Sequence, residues 1–229
     1  MSDLDAAIRN ARRGIDDREA PIRGQLRDAY SGAVDALTVD IELVTARIRD
    51  ARAAGETVTR DWLRREARYR RLLRDAEREF ARFTDDGLRV IRDGQVAAVS
   101  GGAAEAWELM EAAGIETGFG GRVNTGAVEN LVSAFDPASP LRGVLDSYGE
   151  NGAKVIEDVL TQGVIDGTGP RQIVKRITDE LTDGSTKARL DALVRTEMMR
   201  AFRASSNEQY AQRAHLIRGY RRTAQHGPR

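Results

Sequence analysis

PIRGQLRDAYSGAVDALTVDIELVTARIRD, running from Pro21 to Asp50, decides the fold. Its apolar residues are Ile22, Leu26, Tyr30, Ala33, Leu37, Ile41, Val44 and Ile48. They recur in steps of three and four, so a helix gathers them into one stripe while a strand would scatter them over both faces. Proline lacks the N–H that a first helical turn leaves unused, so Pro21 is expected to open this helix. A separate short helix is then expected from Leu4 to Asp17. Gly55 fits the C-terminal cap, because a cap residue commonly adopts positive φ. The helix would be about 50 Å long at 1.5 Å per residue.

The pattern continues on the far side of a short link. Thr59 fits an N-cap, and a third helix starts near Arg60 with Trp62, Tyr69, Leu72, Leu73, Ala76, Phe80 and Phe83. It can run past Gly87 and Gly94, each costing about 1 kcal/mol relative to alanine. Ala103 to Ala113 is again helical. Two long helices joined by the Gly55–Thr59 link should fold back as an antiparallel hairpin. Such a hairpin cannot bury both its faces, so it is expected to pack on a partner or on copies of itself.

Gly114, Gly118, Gly120 and Gly121 then interrupt the pattern and mark a hinge. A phosphate-cradling loop would need a preceding strand and a Gly-Lys-Ser/Thr ending, and neither is present. The expected division is a long helical hairpin or stalk over 1–117 and a smaller helical domain over 122–229. In the second part Asn124 or Thr125 can cap a helix through Phe135, and Ser139-Pro140 can open the next. Ala153 to Ile165 is amphipathic. Gly167-Thr168-Gly169-Pro170 ends that helix and starts another with Ile173, Val174, Ile177 and Leu181. Gly184-Ser185 repeats the device before a long helix to about His215. Leu216 to Arg222 alternates weakly and is compatible with the start of a β element. The fold class read from the sequence is therefore all-α.

Composition narrows the function classes. The 229 residues carry 36 basic and 36 acidic side chains, so no whole-molecule attraction to DNA is implied. The absence of cysteine excludes disulfides and thiol chemistry within this stretch. No apolar run of about 18 residues can span a bilayer, and no segment reads as a signal peptide, so a soluble protein made in the cytoplasm, with no membrane partner, is expected. His215 and His226 are the only histidines and lack metal-ligand spacing. No nucleophile elbow or paired-carboxylate arrangement organises a reaction. No catalytic residue, metal or cofactor is expected.

Two surface features and one buried one remain. The helix from Arg60 to Arg82 is dense in arginine, including Arg64, Arg68, Arg71 and Arg78, and the last fourteen residues hold Arg218, Arg221 and Arg222 with no acid. Both could meet nucleic acid or an acidic partner. Acids interleave the first, however, and pairs such as Arg71–Asp75 and Asp75–Arg78 suit a solvated, ion-paired helix face. The buried feature is Arg195-Thr196-Glu197. Glu197 falls on the stripe of Leu190, Val194, Met198 and Ala201, where a carboxylate needs a partner. Arg200, three residues on, or an arginine of another helix could supply it. The plain reading is a polar anchor that fixes how two helices cross.

One further pattern runs through these residues. Gly163-Val164-Ile165-Asp166-Gly167-Thr168-Gly169-Pro170-Arg171-Gln172-Ile173 forms a helix, a glycine turn and a helix. Ala188-Arg189, Leu193-Val194-Arg195-Thr196-Glu197, Arg200-Ala201 and Tyr210 follow it in order. This resembles the head-morphogenesis family of tailed bacteriophages, the Mu F-like minor head proteins, over about residues 153–220. The family's later cysteine- or histidine-containing segment has no counterpart up to Arg229, as in a truncated or divergent member. The resemblance implies a non-enzymatic minor capsid protein inside the head near the portal, made in the host cytoplasm. Its partners would be the portal protein, scaffold or major capsid protein, and viral DNA. Gly163, Gly169, Ile173, Arg195, Thr196, Glu197, Arg200 and Ala201 would be structural residues of that domain. The competing expectations are a DNA-binding packaging or ejection factor, using the arginine face and basic tail, and the non-catalytic part of a larger enzyme or toxin.

Overall fold

The computed structural model describes residues 3–115 and 140–214. These residues are all-α and contain no strand. The helices are α1 (Asp3–Ala53), α2 (Arg60–Arg65), α3 (Ala67–Ala112), α4 (Leu141–Ile165), α5 (Pro170–Leu181) and α6 (Gly184–Gln212). The expected helix to Phe135, the glycines Gly118, Gly120 and Gly121, the 117/122 division and the β element at Leu216–Arg222 lie outside the described residues.

Helix α1 corrects the reading of Pro21, because one 51-residue helix runs through it. An interior proline removes a backbone hydrogen bond and costs about 3 kcal/mol. The helix continues because the apolar stripe is covered on both sides of the proline: Ile15 and Ile22 are half-buried, and Leu26 is fully buried. Packing along the stripe overrides the local preference.

The third helix is also divided differently from the expected run. Glu66 has extended backbone (φ −65°, ψ 124°) and separates α2 from α3. Its carboxylate lies 3.4 Å from the Arg47 guanidinium, which also stacks 5.1 Å from the Trp62 ring centre. Beyond this break α3 passes through Gly87 and Gly94 without interruption and takes in Ala103–Ala112.

The caps follow the sequence signals closely. Thr59 accepts a hydrogen bond from the Trp62 N–H at 3.2 Å. Gly55, Gly114 and Gly167 all have positive φ, and each closes its helix with a backbone bond from the next residue to the carbonyl five positions earlier. This is the Schellman arrangement, in which glycine avoids the Cβ penalty of the left-handed region. Gly114 is thus the cap of α3. Pro170 occupies the first position of α5, as expected, whereas Pro140 is the residue before α4. Ahead of α6 the capping group is Asp183, which accepts from the Thr186 N–H at 2.7 Å and from the Ser185 hydroxyl at 2.6 Å. These hydrogen bonds, Ser185 first, hold its carboxyl down to about 2.

The described residues form two compact units, each drawn from separate stretches of chain. One comprises 3–18, 94–115 and 197–214; the other comprises 19–93 and 140–196. In the second unit Tyr30 meets Phe83 edge-on at 5.2 Å, and Arg47 meets Glu66. Residue numbers therefore rise along α1 as they fall along α3, which is the antiparallel hairpin. Leu145, Ile156 and Leu160 of α4 and Ile173 and Ile177 of α5 complete this core. Burial, aided by the nearby Asp183 and Tyr148, raises the Tyr30 hydroxyl to about 12. A bidentate Arg27–Asp191 pair joins α1 to α6. In the first unit, Ser205 donates to the Val99 carbonyl at 2.6 Å and Ser206 to the Gly102 carbonyl at 3.0 Å, which fixes α6 against α3.

Candidate functional site

The turn between α4 and α5 is built from the glycine motif. Gly163 lies where a Cβ would come 2.7 Å from Ile173 Cδ1, so any larger residue would displace the buried Ile173 side chain from its seat against α4. Gly169 places its carbonyl to accept from the Gln172 and Ile173 N–H groups at 3.0 and 3.1 Å. Arg52, at the end of α1, completes the turn. Its guanidinium donates to the carbonyls of Thr168, Gly163 and Val164 at 3.0, 3.2 and 3.1 Å. Carbonyls at a helix C-terminus carry the negative end of the helix dipole and each can accept a second hydrogen bond, so a planar cation with several donors suits them.

Sequence reasoning missed Arg52, because its partners are more than a hundred residues away and leave no periodic trace. Arg52→Ala is expected to lower unfolding free energy by about 2 kcal/mol. Arg52→Lys should recover less than half of that, since an ammonium cannot match the three-carbonyl fork. Denaturant titration of both variants checks this; equal stability of the lysine variant and wild type would show that charge alone suffices.

Of the Arg195-Thr196-Glu197 segment, only Glu197 turns inward. It is buried in α6, and Gln95 Nε2 of α3 donates to its Oε2 at 2.9 Å. The sequence called for a partner and favoured an arginine; the hydrogen bond comes instead from a neutral amide on another helix. Thr196 is exposed and bonds back to the Ala192 carbonyl at 2.8 Å. Arg195 is exposed and makes no ion pair among the described residues, and Arg200 is also exposed. Ala201 is buried. Gly163, Gly169, Ile173, Arg195 and Thr196 belong to one compact unit, and Glu197, Arg200 and Ala201 to the other.

The arginine face is partly ion-paired and partly open. Asp75, 8% exposed, is held by Arg71 at 3.3 Å and Arg78 at 2.9 Å, as the spacing suggested. Arg82 meets Glu79 at 3.0 Å. Arg64 and Arg68 are exposed with no ion pair among the described residues. Arg218, Arg221 and Arg222 lie outside the described residues.

A second buried carboxylate was not singled out from the sequence. Glu105, 6% exposed, meets Arg18 at 2.5 Å, while its Oε2 has no hydrogen-bond partner among the described residues. Burial raises its pKa, and Arg18 opposes that shift. A carboxyl with a raised folded pKa binds its proton more readily in the folded than in the unfolded state. Its contribution to stability therefore falls as pH rises from the ordinary carboxylate range through the raised value. Glu105→Gln should flatten that limb of the stability–pH curve, which thermal melts between pH 4 and 7 will follow. An unchanged limb would place the titration elsewhere.

No group of three or more His, Cys, Asp or Glu side chains is arranged to hold a metal ion among the described residues. No helix among them is long and apolar enough to cross a membrane. The motif residues act on helix packing and helix ends: a glycine clearance, a buried carboxylate–amide contact and a capped turn. No protein family, curated protein or solved structure matches the chain.

Proposed function

We propose that the protein is a structural, non-enzymatic component of a tailed-bacteriophage head. It would be a minor head protein that associates with the portal, inside the head, and assists assembly, genome packaging or DNA delivery. The observation that supports this reading is the way the motif residues are used. Gly163 and Ile173 lock the α4–α5 turn and Glu197 anchors α6 to α3 through Gln95, so the motif that resembles the head-morphogenesis family supplies architecture. Scaffold or major capsid protein could share the binding surface.

Co-expression with the portal protein of the same genome, followed by size-exclusion chromatography and mass determination, tests the proposal. Co-elution at a defined stoichiometry is expected. Separation at both low and moderate salt would count against portal binding.

The exposed Arg64 and Arg68 favour a second reading, contact with viral DNA. That reading requires affinity that falls linearly with salt on a log–log plot, with a slope set by the number of phosphates neutralised. Salt-insensitive or absent binding would remove it.

A further inference from the structure

We infer that the outward face of α1 docks onto the arginine-rich α2–α3 surface of a second copy of this chain. Both surfaces belong to the compact unit of residues 19–93 and 140–196, and their pairing does not depend on the proposed phage role. Opposite its buried stripe, α1 presents Gly32, Ala36, Val39 and Leu43, spaced by four, three and four. Val39 is 63% and Leu43 45% exposed. Along one edge of this seam stand Asp28, Asp35 and Glu42, seven residues apart and exposed, with Asp40 on the other edge. None of these four carboxylates makes an ion pair among the described residues.

The complementary surface lies on the same unit. Arg60, Arg64, Arg65, Arg68, Arg70 and Arg74 are all exposed, and none makes an ion pair among the described residues. Within one copy, therefore, neither set neutralises the other. Arginine stems can cover apolar side chains while their guanidinium groups meet carboxylates, so the seam and its acidic edges suit one arginine surface.

A second copy fits better than DNA. Asp61, exposed among these arginines, and the exposed Glu77 beside them would repel phosphates, whereas the chain itself carries an acidic face with an apolar centre that DNA cannot use. Contact between two different faces closes as a dimer if a two-fold axis pairs them reciprocally, and otherwise propagates into a ring or an open chain.

Sedimentation velocity on the full chain, over a range of concentration and salt, tests this. Wild type should associate, with affinity falling as salt rises. Two charge-reversed proteins, Asp35→Arg with Glu42→Arg and Arg68→Glu with Arg74→Glu, should each lose self-affinity by on the order of 100-fold, because like charges then face each other. All four positions are exposed, so circular dichroism should report unchanged helicity. Mixed together, the two variants should form a 1:1 complex, since each retains the face the other needs. Three outcomes would overturn the inference: a monomeric wild type, variants that associate as wild type does, or no complex in the mixture. If wild type is monomeric and binds duplex DNA through Arg68 and Arg74, the surface belongs to nucleic acid.

Discussion

Gly102→Leu should lower the unfolding free energy by about 4 kcal/mol, the largest effect expected of a single substitution in this protein. A Cβ at Gly102 would stand 2.5 Å from the Phe202 carbonyl oxygen and 3.2 Å from its Cα. The obstacle is backbone, so no rotamer change relieves it, and α6 has to move off α3. That movement also breaks the Ser206 bond to the Gly102 carbonyl and strains the Ser205 bond to the Val99 carbonyl. Overpacking costs about 1–3 kcal/mol, and each buried acceptor left unsatisfied adds about 1–3. For a chain of this length the melting temperature should fall by roughly 10 °C. Hydrogen exchange should rise first in α6 residues 197–212, where the contact is lost. Gly24 provides the control, because a Cβ there meets nothing within 4 Å. Gly24→Ala should raise stability by up to about 1 kcal/mol through helix propensity. If Gly102→Leu melts as wild type does, the close approach of α3 and α6 is wrong.

These expectations rest on contacts of two kinds, and only one kind was legible beforehand. Helix periodicity and the caps at Gly55, Thr59, Gly167 and Pro170 are local signals, written within a few residues, and they located the corresponding ends. The Arg71–Asp75–Arg78 cluster was legible for the same reason, since positions three and four apart are neighbours on any helix. Pro21 misled because a local rule met a long-range fact: the stripe on either side of it is covered. Glu66 shows the reverse, a break in an unbroken pattern, with its carboxylate beside Arg47 of another helix. Gly101 and Gly102 carried no visible instruction. Their meaning depends on Arg18 and Phe202, remote in sequence, whose side chain and backbone occupy the space a Cβ would need. Burial of Glu197 was readable from its place on the stripe, but the identity of its partner was not, because Gln95 lies 102 positions away.

That partner determines what substitutions at Glu197 should do. Glu197→Ala is expected to cost about 3 kcal/mol. It opens a cavity in the α3–α6 contact and leaves the amide of Gln95, itself only 4% exposed, without its acceptor. Glu197→Gln should change stability by no more than about 1 kcal/mol. The amide keeps the shape and still accepts from Gln95, and the lost charge assistance is offset by relief from burying a carboxylate. An arginine partner would reverse this ranking, since the neutral variant would then strand a buried cation. Replacing both Gln95 and Glu197 by leucine should cost less than Glu197→Ala alone, because no polar group is left unsatisfied. Chemical denaturation of the four proteins decides the matter. A Glu197→Gln penalty as large as that of Glu197→Ala would mean that the charge, and not the hydrogen-bonded shape, holds α6 to α3.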